Sequence, residues 1–333
     1  MKKAASALVF GAVMTVATAS ASAQTIIKLG HFGPGTDAFS NTVAAFAEEV
    51  ATRSEGRLEV QIFPAGQLGN ERQQISGLQG GLQEMMVTAA TNVTNMHAPL
   101  RLLDLPFAFA SHAQTDAIAT GPFSRKLLDG LERHGLAGLA LWENGFRVMT
   151  NSRNAIRVPA DVEGLRMRVI GAPVFIDTFT ALGTQPVPMP FTELYTGLET
   201  GTVEGQDNTA MTIGMMRLHE VQKHVTITNH MYSAMIVLAG QPFLARLTPE
   251  DRALLEQVTE EFGPTQRRMM RDAGDAVMTF LKEESGLEVV EALTPEAHAA
   301  FREKVAPVAE ASVTEDLQDL HAEMRALVAA TAE

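Results

Sequence analysis

The chain has no cysteine, no basic cluster and, after its N-terminal segment, no long hydrophobic run. Without cysteine among its 333 residues it can form no disulfide, thiol nucleophile or cysteine-based metal site. Asp and Glu outnumber Lys and Arg by 39 to 26, and this acidic balance argues against a nucleic-acid partner. No later segment offers the roughly 18 uninterrupted apolar residues of a membrane span. Small anions are not excluded, because binding them needs only local positive charge.

The N-terminal segment has the pattern of a secretory signal. Lys2 and Lys3 precede a short apolar run, and Ala21-Ser22-Ala23 follows as a small-x-small cleavage signature. We therefore expect residues 1–23 to be a signal peptide, the mature chain to begin at Gln24 and the location to be the periplasm. Loss of the two lysines moves the formal charge from −13 to −15. A membrane anchor is the alternative, which a short run rich in Ala, Ser and Thr disfavours.

The rest of the chain alternates strand and helix patterns. "IIKLG", "GRLEVQIFP" and "MMVT" are predicted strands with helices between them, an order that indicates an open, mostly parallel sheet. "GLRMRVI" begins a second α/β set, and "LTPED" begins a long helix expected to run to about Glu284. We expect two α/β lobes around a ligand cleft, residues 24–145 with 234–273 in lobe I and residues 146–233 with 274–333 in lobe II.

The motifs that would indicate an enzyme or a metal site are wrongly spaced or absent. "GHFGPG" is spaced G-x-x-G-x-G rather than as a dinucleotide fingerprint, and Pro34 removes an amide donor from it. His219 and His224 are separated by five residues and so point about 140° apart on a helix, which prevents them from sharing a metal. No G-x-S-x-G and no Ser/His/Asp set can be picked out. We expect no catalysis, no cofactor and no metal.

The segment "GLRMRVIGAP" raises a question about two arginines. Leu165, Met167 and Val169 alternate with Arg166 and Arg168, which places both arginines on one face of a predicted strand. Ligands of open α/β sheets bind beyond the carboxyl ends of strands, and Arg168 sits at such an end. Taken alone, the pattern fits a solvated strand face as well as an anion site.

Several blocks together resolve that question by resemblance. "FPAGQLGNER", "LPFAF", "NGFRVMTNSRN", "GLRMRVIGAP", "PMPFTELYTGLETGTVEGQDN" and "TNHMYS" occur in this order along the mature chain. Their order and spacing closely resemble the extracytoplasmic solute-binding proteins of tripartite ATP-independent periplasmic (TRAP) transporters. The resemblance implies two α/β lobes with a long helix spanning both, which close over a carboxylate-bearing organic acid and deliver it to a membrane permease. We also expect the protein to be a monomer.

The resemblance also implies roles for four residues. Arg168 matches the family's arginine that binds the ligand carboxylate through two parallel hydrogen bonds, and a guanidinium fork suits that geometry. Arg147 and Asn208 match residues that support the same carboxylate, and Phe191 matches an aromatic residue that packs on the ligand. Arg166 is expected to be a solvated or interlobe salt-bridge residue.

The far end of the ligand is left open at this point. Lobe I offers candidates in three places, which are His31 and Phe32, Glu71 and Arg72, and Thr91 and Asn92. A C4-dicarboxylate would need a second cation, which Arg72 could supply. A sugar acid would need hydroxyl partners, which Glu71 and Asn92 could supply. Ala89 and Ala90 stand where sialic-acid-binding members carry an acidic residue, which disfavours that ligand. An exported enzyme acting in the same cleft is the alternative to a binding protein.

Overall fold

A computed structural model describes residues 24–331, so the expected signal peptide, residues 1–23, lies outside the described residues. Within these residues the strands are β1 (Thr25–Gly30), β2 (Leu58–Phe63), β3 (Met85–Ala89), β4 (Leu136–Asn151), β5 (Arg166–Val169), β6 (Gln185–Pro188), β7 (Gly205–Thr209), β8 (His224–Thr226), β9 (Tyr232–Gly240) and β10 (Glu288–Val290). The strands predicted from "IIKLG", "GRLEVQIFP", "MMVT" and "GLRMRVI" are confirmed as β1, β2, β3 and β5.

Helices alternate with these strands. They are α1 (Ala38–Arg53), α2 (Glu71–Gln79), α3 (His112–Ala119), α4 (Gly121–Leu128), α5 (Pro173–Ala181), α6 (Leu194–Glu199), α7 (Ala210–Met215), α8 (Gln241–Leu244), α9 (Pro249–Glu283), α10 (Pro295–Ser312) and α11 (Gln318–Ala330). Short 3₁₀ turns, such as residues 98–104 and 191–193, join several of them. The predicted α/β architecture is confirmed.

One path of strands, β2-β1-β3-β9-β4-β7-β5-β6, runs through the molecule, and β8 and β10 pair beside it. The strands β2, β1 and β3 are parallel, as are β7, β5 and β6. Between these parallel sets lie β9 and β4, which pair antiparallel with their neighbours. We call β2-β1-β3-β9 the first half-sheet and β7-β5-β6 with β8 and β10 the second half-sheet.

Strand β4 joins the two half-sheets. It pairs with β9 from Leu136 to Phe146 and with β7 from Arg147 to Asn151. The pairing partner therefore changes between Phe146 and Arg147, one residue after the end expected for the first segment of lobe I. Near this point the register of β4 against β9 shifts between Glu143 and Gly145. Such a β-bulge bends a strand and redirects side chains.

Each half-sheet is covered by helices on both faces. The alternation along β9 sends Met235 and Val237 to one hydrophobic cluster and Ile236 and Leu238 to another. The second half-sheet has its own two clusters, one under α5 and α10 and the other under α6 and α7. This layering makes each half-sheet a separately packed unit.

The long helix α9 and the C-terminal helices pack on different parts of this frame. Helix α9 contacts α1 and β4 as well as α7 and β10, so it spans both half-sheets as expected. Helix α10 packs on α5 of the second half-sheet, whereas α11 packs on α3 and adds Met324 to a cluster of the first. The expected division puts residues 274–333 in lobe II, but the structure places α11 with the first half-sheet.

Candidate functional site

A cavity lies between the two half-sheets, where β4 changes partner. From the second half-sheet and the adjoining end of β4 it is lined by Arg147, Arg168, Ile170, Phe191, Asn208 and Thr212. From the first half-sheet side it is lined by Phe32, Glu71, Thr88, Ala89, Asn92, Asn144, Ser233 and Met235. Seven of the ten candidate ligand-binding residues named from the sequence thus lie on the wall of one cavity.

Arg168 is buried in this wall without a counter-ion. Its side chain comes from β5 and is 3% exposed. Its Nε donates a hydrogen bond to the backbone oxygen of Met189 at 3.0 Å, and its guanidinium carbon lies 6.0 Å from the centre of the Phe191 ring. Among residues 24–331 it forms no salt bridge. Burial, and then the charge of Arg147, lower the pKa of Arg168 to about 10, although the charges of Asp207 and Glu71 act in the opposite direction, so Arg168 keeps its charge at neutral pH.

Arg147 is equally buried but has a built-in partner. Its Nε donates to a carboxylate oxygen of Asp207 on β7, and its Nη1 lies 3.5 Å from the Ser233 hydroxyl. The Phe175 ring lies 5.1 Å from its guanidinium carbon. Burial disfavours a charged Asp207, but Arg147 and then His230 outweigh it and hold the pKa of that carboxyl well below its usual range. Arg147 and Asp207 therefore form a buried ion pair.

A second buried carboxyl lies near this pair. Asp104 is 1% exposed, and its Oδ1 accepts a hydrogen bond from the Thr91 hydroxyl at 2.9 Å. Its Oδ2 has no hydrogen-bond partner among the described residues. Burial raises the pKa of Asp104 to about 7, although Thr91 and Arg147 act in the opposite direction. Asp104 thus titrates near neutral pH, close to the Arg147–Asp207 ion pair.

Asn208 and Phe191 lie beside the arginines. The Asn208 amide donates to the side-chain oxygen of Gln206 at 2.7 Å, which fixes the orientation of the amide group at the cavity wall. Phe191 follows Pro190 in a 3₁₀ turn and meets Phe32 of the opposite side edge to face, with ring centres 5.1 Å apart. Asn95 also donates to the backbone oxygen of Gly171 at 3.4 Å. These contacts close the cleft over the cavity.

The opposite wall is polar and carries one negative charge. Glu71 is the first residue of α2, and its carboxylate forms no hydrogen bond or salt bridge within the described part of the chain. Asn92 donates to the Thr88 hydroxyl at 2.8 Å. Ala89 adds no polar group. The wall facing Arg168 therefore offers hydroxyl, amide and carboxylate groups but no cation.

Three of the candidates lie elsewhere, and one of them is Thr91, which is buried and donates to Asp104. Arg72 is exposed, because one helical step after Glu71 rotates its side chain about 100° away. His31 is fully buried beside Phe39, and its Nδ1 accepts the amide hydrogen of Gly33, while neighbouring Phe32 lines the cavity. Burial lowers the pKa of His31 to about 4. Arg166 is partly solvated and lies 3.6 Å from Glu204 of its own half-sheet.

Four polar lining residues were not predicted from the sequence as ligand-binding. They are Thr88, Asn144, Thr212 and Ser233. Two of them belong to quoted blocks, since Asn144 opens "NGFR" and Ser233 closes "TNHMYS". Neither block reveals on its own that a strand bulge or an antiparallel partner turns these side chains toward the cavity.

The cavity geometry is that of a closed anion-binding cleft, and comparison with known proteins agrees with it. Residues 29–316 match the family described as bacterial extracellular solute-binding protein, family 7. The chain belongs to this family. It is a TRAP solute-binding protein and thus a substrate-binding component of a transport system, and the predicted family is confirmed.

Relatives of known name come from several bacteria. The 2,3-diketo-L-gulonate-binding periplasmic protein YiaO of Escherichia coli is 34% identical over 284 residues, which cover 85% of this chain and 86% of the relative. The expected periplasmic location is confirmed by such family members. Within residues 24–331, no helix has the length and apolar content to span a bilayer.

Two solved structures of this family show the same fold with a bound acid. The sugar acid binding protein DctPAm of Advenella mimigardefordensis, in complex with galactonate, is 32% identical with a TM-score of 0.88 over 92% of this chain and 99% of that chain. A TRAP periplasmic solute-binding protein of a Polaromonas species, bound to D-erythronate, is 32% identical with a TM-score of 0.86 over 91% and 99%.

Proposed function

We propose that this protein captures a polyhydroxylated monocarboxylate, a sugar acid, in the cavity between its half-sheets. The observation that carries the proposal is Arg168, a guanidinium that is 3% exposed and has no counter-ion among the described residues. An unpaired buried charge is costly, so the cavity favours an anion that supplies the missing partner. A carboxylate fits best, because the planar guanidinium donates two parallel hydrogen bonds to it.

The opposite wall favours hydroxyl groups over a second carboxylate. A C4-dicarboxylate would bring its far end toward Glu71, whose carboxylate would repel it, and Arg72 is exposed outside the cavity. Hydroxyls both donate and accept, which suits Glu71, Thr88 and Asn92. The acids named for three relatives are 2,3-diketo-L-gulonate, galactonate and D-erythronate. They support this choice over the dicarboxylate alternative.

The division into two half-sheets suits a protein that delivers its ligand to a permease. We propose that the half-sheets act as lobes that open and close at the point in β4 where its pairing partner changes. The membrane permease recognises the closed, liganded form. The ligand is released unchanged, since the cavity lining contains no nucleophile paired with a base. The protein acts as a monomer in this proposal, and α11 moves with the first lobe.

Calorimetric titration tests the ligand class. D-galactonate and D-erythronate should bind with 1:1 stoichiometry, whereas succinate and malate should bind at least tenfold more weakly. Mass spectrometry of the recovered acids should show them unchanged, and small-angle scattering should give a smaller radius of gyration with bound acid. Tighter binding of succinate than of either sugar acid would contradict the proposed class, and chemical conversion would favour the enzyme alternative.

A further inference from the structure

We propose that Asn144 and Ser233 form a subsite that binds the oxygen on C2 of the acid, so that the protein selects 2-hydroxy and 2-oxo acids against 2-deoxy and 2-amino analogues. This inference rests on the proposed function, because it uses the carboxylate position next to Arg168 and Arg147. It adds a specificity at one ligand atom that the carboxylate anchor does not provide.

Asn144 reaches the cavity because it is the extra residue of the β-bulge in β4. Glu143 pairs with Ala234 and Gly145 pairs with Ser233, so two steps along β4 correspond to one step along β9. Gly145 has φ 120°, a conformation that L side chains rarely adopt. The two residues before this glycine differ in surroundings, since Glu143 binds Arg271 and Tyr232 whereas Asn144 lines the cavity.

The hydrogen bonds of Asn144 fix its amide and leave one donor unused. Its Oδ1 lies 3.2 Å from both the Thr209 and the Thr212 hydroxyl oxygens and accepts from them. The Thr209 oxygen accepts the backbone N–H of Thr212, and its single hydrogen is shared between Oδ1 and the Thr212 hydroxyl oxygen 3.0 Å away, so Thr212 is the steady donor to Oδ1. Nδ2 donates one hydrogen to the Ser233 hydroxyl at 3.4 Å. An amide nitrogen has two hydrogens, and no acceptor among residues 24–331 takes the second.

Ser233 also has a hydrogen-bond donor that no described residue uses. Its oxygen accepts from Asn144 Nδ2 and from Arg147 Nη1, at 3.4 and 3.5 Å. No described residue accepts its own hydroxyl hydrogen, and its side chain also lines the cavity. The cavity wall next to Arg147 therefore carries two unused donors on neighbouring groups.

The chemistry of these donors selects the ligand atom. The carboxylate lies at Arg168 with support from Arg147, and Ser233 contacts Arg147, so the donors lie beside the carboxylate end of the ligand. In a sugar acid the next polar atom is the oxygen on C2, which accepts hydrogen bonds both as a hydroxyl and as a carbonyl. A 2-deoxy acid leaves two buried donors unsatisfied, and a 2-ammonium group places further donors and positive charge against them.

Affinity ratios between matched ligands test the subsite. The probes are D-galactonate and D-erythronate, each with its 2-deoxy and 2-amino-2-deoxy analogue, titrated by calorimetry. The wild type should bind each 2-hydroxy acid about tenfold or more tightly than its 2-deoxy analogue. Ser233→Ala should reduce that ratio to about threefold or less. Asn144→Asp keeps the side-chain shape but replaces a donor with an acceptor, and it should improve the 2-amino analogue at least tenfold relative to the 2-hydroxy acid.

A matched control separates the subsite from the cavity in general. Thr88→Ala also removes one hydroxyl from the wall, on the side of Asn92, and should leave every C2 ratio unchanged. Melting curves establish that each variant is folded. Wild-type ratios near one, or ratios that neither Ser233→Ala nor Asn144→Asp alters, would overturn the subsite while leaving the proposed function intact. Absence of binding by all six acids would overturn the proposed function and the subsite together.

Discussion

Two buried arginines meet at the cavity from different regions of the sheet, and they differ in how their charge is balanced. Arg147 stands at the junction of β4 and β7, where Asp207 on the neighbouring strand neutralises it. Arg168 stands on β5, with a backbone oxygen and an aromatic ring as neighbours but no carboxylate partner among residues 24–331. Their exposed fractions are 1% and 3%, so burial alone does not distinguish them.

This difference in charge balance indicates different roles for the two arginines. In a buried ion pair the attraction between the two charges offsets the cost of removing them from water. Removal of one partner therefore leaves the other charge buried and uncompensated. A buried cation without a partner destabilises the empty protein, and the arriving carboxylate offsets that cost. We therefore expect Arg147 chiefly to stabilise the structure of the site and Arg168 chiefly to bind the ligand.

The largest expected effect is on the stability of the ligand-free protein. Arg147→Ala leaves Asp207 buried without its guanidinium partner, and loss of one member of a buried pair typically costs about 3–5 kcal/mol of unfolding free energy. Arg168→Ala removes an unpaired charge and should leave the unfolding free energy within about 1 kcal/mol of wild type or above it. Urea denaturation without ligand measures both.

A double variant sharpens the first prediction. Arg147→Ala combined with Asp207→Ala removes both charges and should recover part of the loss seen with Arg147→Ala alone. If Arg168→Ala proves as destabilising as Arg147→Ala, the two arginines have the same structural role and the contrast between them is wrong.

The next effect is on affinity. Arg168→Ala should weaken the binding of a sugar acid by about 2–4 kcal/mol, or about 30- to 1,000-fold, because Arg147 and water compensate only in part. Arg168→Lys should also weaken it substantially, since an ammonium keeps the charge but loses the two parallel bonds. Titration calorimetry on folded variants measures these losses.

Arg166 supplies the matched control on the same strand. It is two residues away on the same face, partly solvated and close to Glu204. Arg166→Ala should change affinity by less than about threefold, as expected for a solvent-screened charge. Loss of binding in Arg166→Ala with normal binding in Arg168→Ala would show that the site assignment on this strand is wrong.

These arginines also show how far the sequence leads. Alternation predicts that Arg166 and Arg168 share a face, but it cannot tell which one is buried. That depends on the turn around Met189 and Phe191 and on the pairing of β5 between β6 and β7, contacts that are distant in sequence. The family resemblance supplied the choice, and the structure gives its physical reason.

Other parts were predicted from local patterns to a varying degree. The capped start of α9 at Thr248 and Pro249 is a local signal, and the helix begins there. Asn144 depends on a bulge and a neighbouring strand, and α11 depends on packing against α3, so neither is visible in a single segment. Periodicity finds elements and their faces, whereas bulges and docking require long-range pairing.

A smaller effect concerns the carboxyl near Arg147. Since burial raises the pKa of Asp104 from 3.8 to about 7, the folded protein binds its proton across a pH range in which the unfolded protein has released it. Stability therefore falls as pH rises from about 4 to about 7, at no more than about 1.4 kcal/mol per pH unit. Asp104→Asn should remove this dependence, so the variant gains about 1–3 kcal/mol relative to wild type between these pH values.

Difference measurements isolate this group. The lowered pKa of His31 gives a pH dependence of opposite sign, from about 4 to 6.5, but it is common to both proteins and cancels in the comparison. Urea denaturation of wild type and Asp104→Asn at several pH values gives the required difference. A constant difference from pH 4 to pH 8 would contradict an Asp104 that titrates near neutrality.

The smallest expected effect lies on the opposite wall. Glu71 faces the cavity with no partner among the described residues, and it is expected to repel the second carboxylate of a dicarboxylic acid. Glu71→Gln keeps the shape and removes the charge, so it should improve succinate binding about tenfold, or about 1.4 kcal/mol, while a sugar acid loses about threefold through one weakened hydrogen bond.

Exposed Arg72 gives the control, since Arg72→Gln should alter neither affinity by more than about twofold. Calorimetric titration of both acids against both variants measures the change in selectivity. If Glu71→Gln leaves that selectivity unchanged while Arg72→Gln abolishes succinate binding, the cation for a second carboxylate is Arg72 and the two walls of the cavity do not differ in charge as described.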